Sequence, residues 1–275
     1  MSTIAVCVKW VDLHPEIDPL TGAVTTDPRR SGFSDSDQAA LEVGLRLAER
    51  RGGSVVLISV APAVANESLR QLAASGAESL LHIPADDDLP SSAIGATIAA
   101  AVGRLGDVDL VVAGDHSLDR GSGSVPSFAA HGLGWPQALG LTDVTDDGRG
   151  GVRRLDGGRR EHVRWDGPIV ISVEGSVARL RRASLRQVLA AKSLPGPDHD
   201  TAPVTDLSRV DVRPTSPVRP RARAFPAPHG DRALSRIVEL TGALVERTPP
   251  RRVEADPAAA AAEIVGQLRV WGYLD

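Results

Sequence analysis

Along the first 113 residues, short apolar runs alternate with longer stretches of helical periodicity. Thr3–Val8 reads as a strand. Asp35–Arg51 carries Ala39, Ala40, Val43, Leu47 and Ala48 at helical spacing, and Gly52-Gly53 stops it. Ser54–Val60 is a second strand, and Asn66–Ala74 a helix with Asn66 as its expected cap. A short strand, Leu80–Ile83, precedes the helix Ser91–Leu105, which turns Ile94, Ile98, Ala101, Val102 and Leu105 inward. Val108–Ala113 is the fourth strand. Strands alternating with helices predict an α/β fold: a Rossmann-like parallel sheet covered on both faces, with binding at the carboxyl ends of the strands.

The pattern changes after Trp135. Gly151–Leu155 and Arg160–Trp165 flank an Asp-Gly-Gly turn and read as a β-hairpin. Pro168–Val173 is a further strand and Leu185–Lys192 a short helix. Residues 194–231 are dense in Pro and Arg, which suits an extended linker better than a packed domain. Two helices follow, the amphipathic Arg232–Glu246 and Pro257–Trp271. The Ala258–Ala262 run in the second is plain helix propensity. The expected organisation is an α/β domain with hairpin over 1–193, a linker over 194–231 and a helical arm over 232–275.

Composition narrows the function classes. The 275 residues are 42% hydrophobic, enough for a sizeable core, but only 3% aromatic, so Val, Leu, Ile and Ala must fill it. A net charge of −4 argues against nucleic acid as a partner. Cys7 is the single cysteine, which excludes an internal disulfide or a cysteine-based metal cluster. The N-terminus enters a strand without a charged region and apolar core, so no signal peptide is expected. No apolar run approaches the roughly 20 residues that span a bilayer. The expected location is cytoplasmic, with no direct membrane insertion.

The chemistry gathers in "GDHSLDRGSGSV", the stretch from Gly114 to Val125. A Gly/Ser turn between a strand and a helix can hold a phosphate on backbone N–H groups and a helix N-terminus. Gly121 and Gly123 expose backbone, Ser122 and Ser124 add hydroxyls, and Arg120 adds charge. The stretch has neither a Walker lysine nor G-x-G-x-x-G spacing. The plainer reading is a turn that only reverses the chain. Asp115 and Asp119 oppose an anion unless they point elsewhere.

Taken in order, several segments resemble the β subunit of electron transfer flavoproteins. They are "VCVKWV", "ISVAPAVANESLRQLAASGAES", "DLVVAGDHSLDRGSGSVPSFAAHGLGWPQ", "LDGG" with "PIVISVEGSVARLRRASLRQVLAAKS", and "PPRRVEADPAAAAAEIVGQL". The likeness covers about the first 195 residues and, more weakly, the last 30. The Pro/Arg stretch with the Arg232–Glu246 helix looks like the extension of an actinobacterial branch associated with mycofactocin redox systems. The resemblance implies a heterodimer with an electron transfer flavoprotein alpha subunit. That partner holds most of a redox-active FAD, while this subunit holds a structural AMP. Dehydrogenases donate the electrons, and a quinone oxidoreductase accepts them.

The same resemblance assigns nucleotide contacts to Cys7, Ser34, Asp35, Ser36, Asp37, Val60 and the loop Gly114, Asp115, His116, Ser117, Leu118, Asp119, Arg120, Gly121, Ser122, Gly123, Ser124 and Val125. Read locally, Ser34–Asp37 is a helix cap with an acidic first turn, and Cys7 a small buried hydrophobe. His14 and Ser36 fall where family members approach the flavin, often with an aromatic residue. Leu185 falls where the family anchors its partner dehydrogenase; Arg181, Arg182 and Arg186 around it would steer an acidic partner. Its plain alternative is a leucine facing the core. Bifurcating members bind a second FAD in place of AMP, usually on "DGDTAQVGP"; here "DRGSGSVPS" keeps Ser122 and Val125 in step. AMP-type members carry Asn-Gln-Thr where Gly123, Ser124 and Val125 stand. The loop matches neither pattern in full, and AMP is the expectation. No catalytic residue is expected, since the sequence shows no Ser-His-Asp triad in motif context and no H-E-x-x-H. Two other classes fit the sequence less well. An ATP-binding module of the universal-stress type is disfavoured by the hairpin and Arg-rich segment over 151–192. An adenylating enzyme would want Ser-Gly-Gly-x-Asp-Ser where "KWVDLHPE" stands.

Overall fold

The computed structural model describes residues 2–86, 88–198, 201, 203–204, 227–242 and 252–274. The chain divides into two compact units, Met1–Val218 and Arg219–Asp275.

The first unit is built on β1 (Thr3–Cys7), β2 (Val11–Asp12), β3 (Glu16–Ile17), β4 (Val24–Thr25), β5 (Ser31–Gly32), α1 (Asp35–Arg51), β6 (Ser54–Ala61), α2 (Asn66–Ala73), β7 (Ser79–Pro84) and α3 (Ser91–Leu105). It continues with β8 (Val108–Gly114), α4 (Val125–Leu133), β9 (Gln137–Val144), β10 (Gly150–Arg154), β11 (Arg160–Arg164), β12 (Ile169–Val173) and α5 (Leu185–Ala191). Eight strands form one sheet in the order β11-β10-β9-β12-β8-β1-β6-β7. From β9 to β7 all neighbours run parallel; β10 and β11 extend the sheet as an antiparallel hairpin. The protein is therefore an α/β protein with a Rossmann-like, mostly parallel sheet, as the alternation of elements predicts.

Strand periodicity explains why both faces are covered. In β1, Ile4 and Val6 join the core under α1 and α2, while Ala5 and Cys7 join the core under α3 and α4. Each fully buried Ile or Leu along these faces contributes about 1.5–3 kcal/mol. The helices α3 and α4 touch through small residues. A Cβ on Gly95 would fall 2.3 Å from the Phe128 Cβ, and one on Gly132 would fall 2.7 Å from the Ala99 Cβ. This close approach brings the two helix starts together.

The ends of α1 follow from its sequence. Ser34 and Asp37 make a reciprocal capping box, and Gly52, left-handed at φ 61°, closes the other end. At α2 the cap differs from expectation: Ala65 is the N-cap and Asn66 is the first helical residue. The Asn66 carboxamide oxygen lies 3.3 Å from Nδ1 of the fully buried His82, so a tertiary polar contact takes the side chain from the capping role. The turn between β10 and β11 places Gly157 and Gly158 at φ 69° and 72°, values the Asp-Gly-Gly sequence supplies without strain. Strand β9 has no counterpart in the sequence reading. Nor do the two small ladders β2–β5 and β3–β4. Asp12 fastens the base of the latter. It accepts the N–H groups of His14 at 2.8 Å and Asp27 at 2.7 Å, with Arg30 at 3.5 Å.

Within the expected 194–231 linker, the described part near its start is attached to the first unit. Asp198 N–H donates to the His82 carbonyl at 2.6 Å on edge strand β7, and Val204 N–H donates to Thr97 Oγ1 at 2.8 Å. The second unit contains α6 (Ala233–Thr241) and α7 (Pro257–Val270). The expected extension of α6 through Glu246 reaches residues 243–246, which lie outside the described residues. Leu234, Ile237, Leu240, Ile264 and Val270 are exposed. Among the described residues no helix is long and apolar enough to cross a membrane.

Candidate functional site

A cleft opens at the carboxyl ends of β1, β6 and β8, as expected for a doubly covered sheet. Its floor and walls are apolar where Val60, Ile94, Ile98 and Ala113 face it. Its other side is polar, formed by Ser117, Ser122, Gly123 and Ser124 of the loop and by Ser91 at the start of α3. Neither α3 nor α4 has a side-chain cap bond at its N-terminus. The first-turn N–H groups of a helix have no partner within the helix, so both helix starts bring partial positive charge to the cleft.

The loop's shape is fixed by its glycines. Gly121 and Gly123 are left-handed, at φ 63° and 59°. A Cβ on Gly123 would fall 2.3 Å from the Asp115 carbonyl oxygen, and one on Gly114 would fall 2.7 Å from Ser36 Oγ. Any side chain at Gly123 therefore collides with the loop's own backbone before it could meet a ligand. Ser122 Oγ and Ser124 Oγ stand 2.9 Å apart. Arg120 Nη1 donates to the Leu89 carbonyl at 2.5 Å, tying the loop to the segment before α3.

Both acidic residues of the loop turn from the cleft. The Asp115 N–H donates to the Val173 carbonyl at 3.0 Å, and its Oδ1 lies 2.8 Å from His116 Nδ1. Asp119 is ion-paired with Lys9. Burial works against ionisation of Asp119, but Lys9, Ser117 and the Arg120 N–H hold its carboxyl below the usual range. Neither carboxylate is among the groups that line the cleft.

Of the other residues assigned from the sequence, Cys7, Asp37, Val60, Gly114, His116, Arg120 and Val125 line the cleft with the loop donors. Asp37 is buried. It accepts Ser34 Oγ at 2.6 Å, Ser34 N–H at 3.2 Å and Lys9 N–H at 3.2 Å. Desolvation still raises its pKa to about 6 against these donors. Burial, with Asp37 nearby, raises the Cys7 thiol to about 12, so Cys7 is a neutral wall. Ser34 and Ser36 sit one layer back: their hydroxyls are 3.0 Å apart, and Ser36 Oγ donates to the His116 carbonyl at 3.1 Å. Asp35, Leu118, Gly121 and His14 are exposed and off the cleft wall. Lys9, Ser91, Ile94 and Ile98 line the cleft and were not assigned from the sequence. Lys9 was legible only as the one lysine near the first strand, and the α3 residues only through the packing of α3 on α4.

The segment before α5 departs from expectation at one residue. Arg181 is bound to Glu42 and Glu49 of α1, so it is not available to steer a partner. Arg182 and Arg186 are exposed. Leu185 opens α5 behind a Ser184–Gln187 capping box and is 75% exposed, which excludes the core-facing alternative. Val188 and Leu189 extend the same exposed apolar surface.

A parallel sheet with helices on both faces, a glycine loop after its central strand and a cleft between two uncapped helix starts define an α/β protein of Rossmann-like type. A family model described as the electron transfer flavoprotein domain matches residues 21–209. Among curated relatives, an electron transfer flavoprotein subunit beta from Mycobacterium tuberculosis (strain ATCC 25618 / H37Rv) is 30% identical over 205 residues, covering 70% of this chain and 76% of the relative. The human electron transfer flavoprotein subunit beta is 28% identical over 182 residues, 64% of this chain and 71% of its own length. A subunit of the caffeyl-CoA reductase-Etf complex from Acetobacterium woodii is 33% identical over 146 residues, 51% of this chain and 56% of its own length. The chain belongs to the electron transfer flavoprotein family, among its beta subunits.

Proposed function

We propose that this chain is the nucleotide-holding subunit of a heterodimeric electron transfer flavoprotein. Its alpha-subunit partner carries the FAD; the pair takes electrons from dehydrogenases and passes them to a quinone oxidoreductase. The observation that carries the nucleotide assignment is the cleft itself, whose apolar wall faces a set of hydroxyl and backbone donors at two helix starts. An adenine ring suits the Val60, Ile94 and Ile98 side, and one phosphate suits the Ser122–Val125 side. AMP, without redox chemistry, fits this donor set. The FAD of the partner supplies the redox chemistry. The part of this chain is to hold the nucleotide, shape the interface and present α5. Ser36 donates to the His116 carbonyl and His14 is exposed, so His14 is the better of the two candidates for a flavin approach.

Exposed Leu185, with Val188, Leu189 and the exposed Arg182 and Arg186, supports docking of an acidic, apolar-pocketed dehydrogenase at α5.

The test is the nucleotide released on denaturing the protein co-produced with its alpha-type partner. AMP with one FAD per heterodimer supports the proposal. Two FAD and no AMP would make the cleft a second flavin site. ATP without flavin would replace the proposal with a regulatory nucleotide-binding module.

A further inference from the structure

Lys9 lies two residues beyond β1 and lines the cleft. Its ammonium is not aimed at an open space: it is ion-paired with Asp119 Oδ2, across 110 residues of chain, with side chains 26% and 38% exposed. Its backbone N–H separately holds the buried Asp37. The other carboxylate oxygen of Asp119 accepts the Arg120 N–H at 2.7 Å. Beside it, the Gly121 N–H closes a turn on the Ser117 carbonyl at 2.9 Å. Asp119 thus gathers the middle of the loop into a turn, and Lys9 ties that turn to the end of β1. The donors Ser122, Gly123 and Ser124 follow directly. Their direction depends on where the turn is held.

We infer, on the basis of the nucleotide reading of the cleft, that the Lys9–Asp119 ion pair fixes the Gly114–Val125 loop in its anion-binding shape, and that Lys9 is a positioning residue and not a phosphate ligand. The charge balance agrees. An unpaired Asp119 in this loop would repel phosphate, and an unpaired Lys9 would attract it. Paired, the two nearly cancel, leaving the backbone and helix dipoles to do the binding. Because the pair is partly buried, salt weakens it less than a fully exposed pair.

The experiment uses the full chain co-produced with its alpha-type partner, stripped of nucleotide and titrated with AMP by calorimetry at two ionic strengths. The variants are Lys9→Met, Asp119→Asn, Lys9→Arg and the exchange Lys9→Asp with Asp119→Lys. Lys9→Met and Asp119→Asn are expected to weaken AMP binding by similar factors, roughly three- to tenfold each. Lys9→Arg and the exchange are expected to recover most of the loss, which a general loss of stability would not do. The inference is overturned if Lys9→Met weakens binding while Asp119→Asn leaves it unchanged or tightens it, because Lys9 then acts on the phosphate directly. It is also overturned if the exchange binds no better than either single variant. Should Lys9→Met fail to fold, Lys9→Gln against Asp119→Asn makes the same comparison. A wild-type chain that neither retains nor binds AMP overturns the nucleotide reading itself, an outcome read without any variant.

Discussion

Arg181 grips Glu42 through three bonds: its backbone N–H and Nε reach Oε2 at 3.1 and 3.0 Å, and its Nη2 reaches Oε1 at 3.1 Å. The Glu42 side chain is only 5% exposed, and Arg46 satisfies it from the next turn of α1 at 2.8 Å. Burial opposes ionisation, yet Arg181 and Arg46 keep the Glu42 carboxyl below its ordinary pKa, and Glu42 and Glu49 raise that of Arg181. The chain four residues before Leu185 is thereby anchored to α1. Replacing Arg181 with Met leaves a buried carboxylate short of donors and is expected to destabilise the protein by about 2–4 kcal/mol. Adding Glu42→Gln to that variant should restore part of the loss. Chemical denaturation of the two single variants and the double variant measures the coupling, and additive losses would refute it.

Asp37 carries the opposite pH signature. Its folded-state pKa of about 6 lies above the ordinary value of 3.8, so the folded protein binds the proton more tightly than the unfolded chain. Its contribution to stability therefore grows as pH falls through 6 towards 4 and is lost as pH rises through 6. Asp37→Asn should remove a pH-dependent difference of roughly 1–3 kcal/mol between pH 7.5 and pH 4. Denaturation midpoints of wild type and variant at several pH values test this; parallel curves would show that Asp37 does not titrate in that window.

Gly123→Val places a branched side chain at φ 59° with its Cβ driven against the Asp115 carbonyl. Such backbone strain costs on the order of 1–3 kcal/mol locally, and the loop relieves it by moving. Bound AMP should fall well below one per chain while the far-ultraviolet circular dichroism stays unchanged. Full nucleotide occupancy in the variant would remove the loop from the site.

Leu185→Ala truncates an exposed side chain whose loss costs the fold little. Reduction by the partner dehydrogenase should slow, on the order of tenfold at limiting partner concentration, with flavin and nucleotide content intact. Stopped-flow reduction gives the rate. An unchanged rate would move docking away from α5.

Much of the fold was legible because local signals agreed. The bounds of α1 and α3 coincide with the apolar periodicity, and in α1 Ser34, Asp37 and Gly52 mark both ends. Strand β9 was not legible. Gly140, at φ 64°, interrupts its alternation, and its pairing with β12 shifts register. Its place in the sheet is set by β12 and β10 on either side. The loop Gly114–Val125 was legible as a candidate from its glycines and serines. That Asp115 and Asp119 turn away was not, because the Val173 carbonyl that takes the Asp115 N–H and the Lys9 that pairs with Asp119 are distant in sequence and meet them only when the chain is folded. Arg181 read as a surface charge for the same reason: Glu42 lies 139 residues earlier and reaches it only through the packing of α1.

Helix α1 meets three different parts of the molecule along its length. Asp37 in its first turn borders the cleft, Glu42 further on holds the chain before α5, and Arg51 at its end donates to the Gly148 carbonyl at 3.1 Å beside the hairpin. These attachments lie at different phases around one axis. A single residue inserted after Asp37 would turn everything beyond it by about 100°. Glu42 and Arg51 would then swing away from their partners together, while the cap stayed in place. The helix works as a camshaft, and a change in its timing falls on several parts at once.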